Sequence, residues 1–163
     1  MAEEVSLYSS YPITFEELST AILAAGGEPV PPEKRYGLDL LGRLEDGHRA
    51  LYIYGDSEPG DPTRFWEQGV YDLGEKIMEE ITAKLGGKPV VSFMLKIGHA
   101  ARSGLLAVEL AYHCTQRWSC VVWAEVFEDG MWKNKVYTKG DIESLQMERK
   151  AFTTYGMLDD DDE

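Results

Sequence analysis

Asp61 to Gly87, DPTRFWEQGVYDLGEKIMEEITAKLGG, is the stretch whose reading decides the fold. Asp61 supplies a side-chain acceptor for a helix N-cap, Pro62 suits the first helical position, and Gly86-Gly87 followed by Pro89 ends the run. These signals predict one long helix. Between them Trp66, Val70, Leu73, Ile77, Ile81 and Leu85 recur at gaps of three and four, which lays an apolar stripe along one side. The other side carries Asp72, Glu75, Lys76, Glu79, Glu80 and Lys84. A helix with one apolar side needs a sheet or further helices to cover it, and strand patterns lie on both sides of it in the sequence.

Downstream, Lys88 to Ile97 is apolar with little polar interruption, the pattern of a central strand buried on both faces. His99 to Arg117 reads as a mostly buried helix, with Ala101, Leu105, Val108 and Tyr112 on one row and Ala107, Ala111, Cys114 and Trp118 on a second. Cys120 to Phe127 and Met131 to Thr138 flank Asp129-Gly130, a dipeptide that favours a two-residue hairpin turn and sets Phe127 opposite Trp132. Thr138 and Asp141 cap a last helix through about Phe152, with Ile142 and Leu145 inward.

Upstream, Leu38 to Glu45 and His48 to Tyr54 flank Asp46-Gly47, a second hairpin. Pairing Glu45 with His48 collects Leu40, Leu44, Leu51 and Ile53 on one face. Gly55 to Gly60 is the loop into the long helix. Thr14 and Glu17 form a capping box for a short helix with Phe15, Leu18 and Ile22 inward, ended by Gly26-Gly27 ahead of a Pro29 to Pro32 connector. Val5 to Ile13 reads as an edge strand whose end Pro12 weakens. The sum is an α+β fold over residues 1–158: a mainly antiparallel sheet with two hairpins, packed against one long amphipathic helix and two or three others. Residues 159–163 form an acidic tail outside it.

With 163 residues, 44% hydrophobic and 28% charged, the chain has the length and balance of one globular domain. The net charge is -13; the five acidic residues Asp159 to Glu163 account for five, leaving -8 in the body. That field repels phosphate backbones and anionic lipid, so neither nucleic acid nor membrane is an expected partner, and a basic protein is. Met1-Ala2-Glu3-Glu4 lacks the layout of a secretory signal, and no run approaches the roughly 20 apolar residues of a membrane span. A cytoplasmic protein is expected, with Cys114 and Cys120 as reduced thiols.

Catalytic and metal constellations are weak. His113, Cys114 and Cys120 lack paired ligand spacing, and on a continuous helix His99 would lie about 21 Å from His113, so no metal or cofactor is expected. Asp56 and Glu67 beside the start of the long helix form one of many carboxylate pairs an acidic chain offers for acid–base work, and Cys114 would need a base within reach. A small hydrolase or ligand-binding enzyme is therefore the alternative reading, and a structural subunit of a phage or secretion assembly a further one.

The run Gly104-Leu105-Leu106-Ala107-Val108-Glu109-Leu110-Ala111, the hairpin after it, and Tyr137-Thr138-Lys139-Gly140-Asp141-Ile142 entering the last helix resemble, in layout, the small acidic immunity proteins of bacterial polymorphic toxin systems. The resemblance implies an inhibitor that binds and blocks a toxin, often a basic nuclease. Under that reading the partner-binding residues are Asp56, Glu58 and Asp61 in the loop, Asp72, Glu75, Glu79 and Glu80 on the long helix, and the aromatic anchors Trp118 and Trp132. The oligomeric state is left open.

Overall fold

In a computed structural model, which describes residues 3–35, 40–55 and 62–153, the strand patterns join into one antiparallel sheet. Its members are β1 (Glu3–Ser9), β2 (Glu28–Pro29), β3 (Leu40–Asp46), β4 (Arg49–Tyr54), β5 (Val91–Ile97), β6 (Cys120–Glu128) and β7 (Met131–Tyr137), in the spatial order β2-β3-β4-β5-β1-β6-β7. The helices among the described residues are α1 (Phe15–Ala24), α2 (Pro62–Leu73), α3 (Glu75–Leu85), α4 (Gly104–Thr115) and α5 (Lys139–Glu148). The fold is α+β and a single domain.

Strand alternation sends side chains to two faces, and each face has its own helices. On one, Val5, Leu7, Leu51, Ile53, Phe93, Leu95, Val122 and Ala124 pack with Leu18 and Ile22 of α1, Val108 and Ala111 of α4 and Ile142 of α5. On the other, Tyr8, Val121 and Val136 meet Met78, Ile81 and Leu85 of α3, with Phe65, Trp66 and Val70 of α2 half-buried against them. Both capping boxes form as expected: Thr14 with Glu17 opens α1, and Thr138 with Asp141 opens α5.

Several expectations need correction. The long helix is two helices, because Gly74 sits at φ 97°, ψ 156°, outside the helical region and open only to glycine. The Gly74 N–H still reaches the Val70 carbonyl at 2.9 Å, the last bond of α2, and the Met78 N–H reaches the Gly74 carbonyl at 3.2 Å, the first of α3. The break brings α2 back onto α3, with Met78 seated on Gly69, where a Cβ would stand 2.7 Å from its sulfur.

β1 is not an edge strand but lies between β5 and β6, the one link between the two halves of the sheet. It stops at Ser9, so Pro12 never enters the ladder. β5 is central, yet buried on one face only: Val91, Phe93, Leu95 and Ile97 point inward, while Met94 is exposed and Ser92 and Lys96 are half-buried.

In the first hairpin Asp46 pairs with Arg49 and Glu45 with Ala50, so the turn is Gly47-His48. That is a slip of two in pairing, which keeps the same inner face. An irregularity between Leu40 and Gly42 then turns Leu41 into the core in place of Leu40. Finally, α5 ends at Glu148, with Arg149 in the left-handed region at φ 56°. Residues 159–163 lie outside the described residues.

Candidate functional site

Helices α2 and α3 cover the end of their sheet face at Tyr8, Val121 and Val136. Further along, the pairings Tyr54 with Met94, Met94 with Ser6 and Ser6 with Trp123 align one row across four strands. The next row runs Arg43, Tyr52, Lys96, Glu4. Among the described residues no helix covers this end of the face. Met94 is 38% exposed, and beyond these rows the paired Phe127 and Trp132 are 53% and 64% exposed.

The Phe127 and Trp132 rings meet edge to face, 5.3 Å between centroids at 63°. That geometry is favourable between aromatic quadrupoles and holds both rings in place while leaving them wet. Trp123, half-buried on the same face, donates its indole N–H to Asn134 Oδ1 at 3.2 Å. Three aromatic side chains of the β6–β7 hairpin therefore share this face, two of them strongly exposed.

Helix α3 packs against this hairpin, and its Glu80 and Lys84 line a groove with Asn134 and Val136 of β7. Glu75 and Glu79 of α3 are exposed, and Glu80 lies 3.9 Å from Lys84. Lys84 Nζ in turn donates to the Val136 carbonyl of β7 at 3.2 Å. Asp72 of α2, also exposed, accepts from Gln68 at 3.0 Å. Its charge adds to the effect of burial on Tyr8, whose phenol is pushed up to about 12.

Trp118 is elsewhere. It stacks on Tyr11 at 6.4 Å with the rings 6° from parallel, half-buried at the end of α4. Tyr11 donates its hydroxyl to Glu17 at 2.7 Å, and this bond, with the Thr14 N–H, holds the Glu17 carboxyl below the usual carboxylate range. From Cys120, next to Trp118, to Phe127, next to Trp132, β6 extends about 24 Å at its per-residue rise. The two tryptophans therefore serve different ends of the sheet. Glu80 lines a groove with Asn134 of β7, two residues along from Trp132 on the same face, and Glu75 and Glu79 belong to the same helix as Glu80, whereas Asp56, Glu58 and Asp61 lie outside the described residues, as does half of the Asp56–Glu67 pair.

Both thiols are buried. Burial, then the neighbouring Cys120, pushes Cys114 far up, and burial pushes Cys120 up to about 12, so at neutral pH each is protonated and lacks the thiolate that nucleophilic attack needs. His99 precedes α4 instead of lying on it, which removes the helical spacing expected between it and His113. Among the described residues no three of His, Cys, Asp and Glu gather where they could hold a metal ion, and no helix is long and apolar enough to cross a membrane.

No protein-family model, curated protein or solved structure matches the chain. Sequence reading placed Trp132 opposite Phe127 and missed Met94, Tyr52 and Tyr54. Ser92 and Lys96, two residues either side of Met94, were the available sign that it points to solvent.

Proposed function

We propose that this chain is a protein-binding module of inhibitor type, which engages a basic partner through the Phe127–Trp132 pair and the neighbouring acidic face of α3. The exposure of that aromatic pair carries the reading. Finishing the burial of two such rings in an interface contributes on the order of 1–2 kcal/mol each, the scale of an interface hot spot. The body charge of -8 and the exposed Glu75 and Glu79 supply the complementary field that speeds encounter with a cation-rich surface. The layout shared with immunity proteins of toxin systems makes toxin neutralisation the role that best fits such a module.

The test uses the full chain as bait for a partner, followed by kinetics of the purified pair. Trp132→Ala should weaken affinity about 30-fold, mainly through faster dissociation, with the melting temperature little changed. Glu75→Lys with Glu79→Lys should slow association and flatten its dependence on salt. Affinity unmoved by Trp132→Ala, together with association indifferent to salt, would overturn the reading.

A further inference from the structure

Among the described residues no strand pairs with the outer edge of β7. Asp129 and Gly130 both have positive φ, 53° and 78°, which makes a two-residue turn closing on the Glu128–Met131 pair. From that pair the ladder alternates. Met131, Lys133, Lys135 and Tyr137 turn their N–H and C=O toward β6, while Trp132, Asn134 and Val136 turn theirs away from the sheet. Lys84 Nζ occupies the Val136 carbonyl. The backbone of Trp132 and Asn134 faces outward beside a groove of about 460 Å³, floored by β7 and walled by Glu80 and Lys84 of α3 and by Ser144 and Leu145 of α5.

A second copy of the chain does not suit this edge. Antiparallel self-pairing centred on residue 133, 134 or 135 sets Lys133 against Lys133, Lys133 against Lys135, or Lys135 against Lys135, and like charges directly opposite repel. The copy would also bring its own α3 and α5 walls to the same groove. A lone extended segment avoids both obstacles.

We propose that the β7 edge accepts an extended segment of a partner protein as an added strand, with apolar side chains on the face of Trp132 and carboxylates on the face of Lys133 and Lys135. Cross-strand neighbours stand about 5 Å apart, well inside the roughly 8 Å screening length of physiological salt, so the two lysines outweigh the more distant acidic surface. Each lysine already holds one carboxylate, Lys133 that of Asp129 at 3.2 Å and Lys135 that of Glu128, and each ammonium keeps further donors for a second. The proposal rests on the protein-binding reading and adds the shape and chemistry of the segment recognised.

The probe is an end-blocked heptapeptide alternating valine with glutamate, compared with one alternating valine with lysine, each titrated onto the full chain while amide exchange is followed by NMR. The glutamate peptide should bind about tenfold tighter and slow exchange at Trp132 and Asn134. Asn134→Pro removes the outward N–H together with the side-chain acceptor of the Trp123 indole, so it should abolish binding while lowering stability by about 1 kcal/mol, with the chain still folded. Lys133→Glu with Lys135→Glu should reverse the preference between the two peptides, which tests the same edge should the proline variant fail to fold.

Equal binding of both peptides, or unchanged exchange at Trp132 and Asn134, overturns strand addition. A captured partner that binds wild type and Asn134→Pro alike also overturns it while leaving the protein-binding reading intact. Conversely, edge binding of the glutamate peptide with no protein partner salt-sensitive at α3 supports strand addition and counts against the basic-partner reading.

Discussion

The two hairpins contain the same Asp-Gly dipeptide and turn on different residues. β6–β7 turns on Asp129-Gly130, whereas β3–β4 moves one residue along to Gly47-His48, with Asp46 drawn into the strand and ion-paired to Arg49. The difference lies in what each tip is attached to. Leu44 and Leu51, directly opposite, are both buried, and a turn on Asp46-Gly47 would set Arg49 against Leu44 instead. Around Asp129-Gly130 the nearest apolar pair, Phe127 and Trp132, faces solvent, so packing does not oppose the turn. Local turn chemistry fixes register where the flanking strands are exposed, and yields to side-chain packing where they are buried.

The largest expected contrast is between those flanks. Leu51→Ala should cost about 2–5 kcal/mol of stability because it empties a fully buried site, and Trp132→Ala less than about 1 kcal/mol. Urea titrations of both variants measure this; similar midpoint shifts would mean that the β6–β7 tip is as firmly packed as β3–β4. Next come the turn glycines. Gly47→Ala and Gly130→Ala each force a side chain to positive φ, 64° and 78°, at about 1–2 kcal/mol. Cross-strand NOEs should then show β6–β7 changing register while Leu44–Leu51 contacts persist, and slippage in both hairpins would remove the distinction drawn here.

The smallest effect concerns the far end of β7. Tyr137 donates its hydroxyl to the Phe152 carbonyl at 2.7 Å, and burial, followed by Glu128 and Asp141, pushes its phenol up to about 12. The folded state thus favours the protonated form. That contribution is intact below pH 10, the ordinary value, and is lost as pH rises toward about 12. Tyr137→Phe should cost about 1 kcal/mol at neutral pH and flatten part of the alkaline loss of stability; an unchanged alkaline melt would assign that loss to Tyr8 and the two buried thiols instead.

Much of the fold was legible because its signals are local. Thr14 with Glu17 and Thr138 with Asp141 are complete capping boxes within four residues, and the alanine-rich row of α4 names its own buried side. The break at Gly74 was harder, since Leu73 and Ile77 keep their four-residue gap across it and the apolar stripe runs on unbroken. Only the glycine itself marked the site. The position of β1 and the edge position of β7 depend on pairings with distant segments, which no local pattern encodes. The candidate surface follows suit: Trp132 opposite Phe127 was visible from the turn, but the openness of the face around Met94 depends on where α2 and α3 stop.

The place of β1 also has a consequence in time. Val5 pairs with Leu95, and Ser6 with Trp123, separations of 90 and 117 residues. At a translation rate of about 5–20 residues per second, β1 leaves the ribosome roughly 6–23 s before β6 exists to meet it. β1 has both flanks unpaired until β5 arrives and one flank unpaired until β6 follows, and the closure of such long loops is slow even once the chain is complete. The middle of this sheet can therefore close only when the later half of the polypeptide has reached β1.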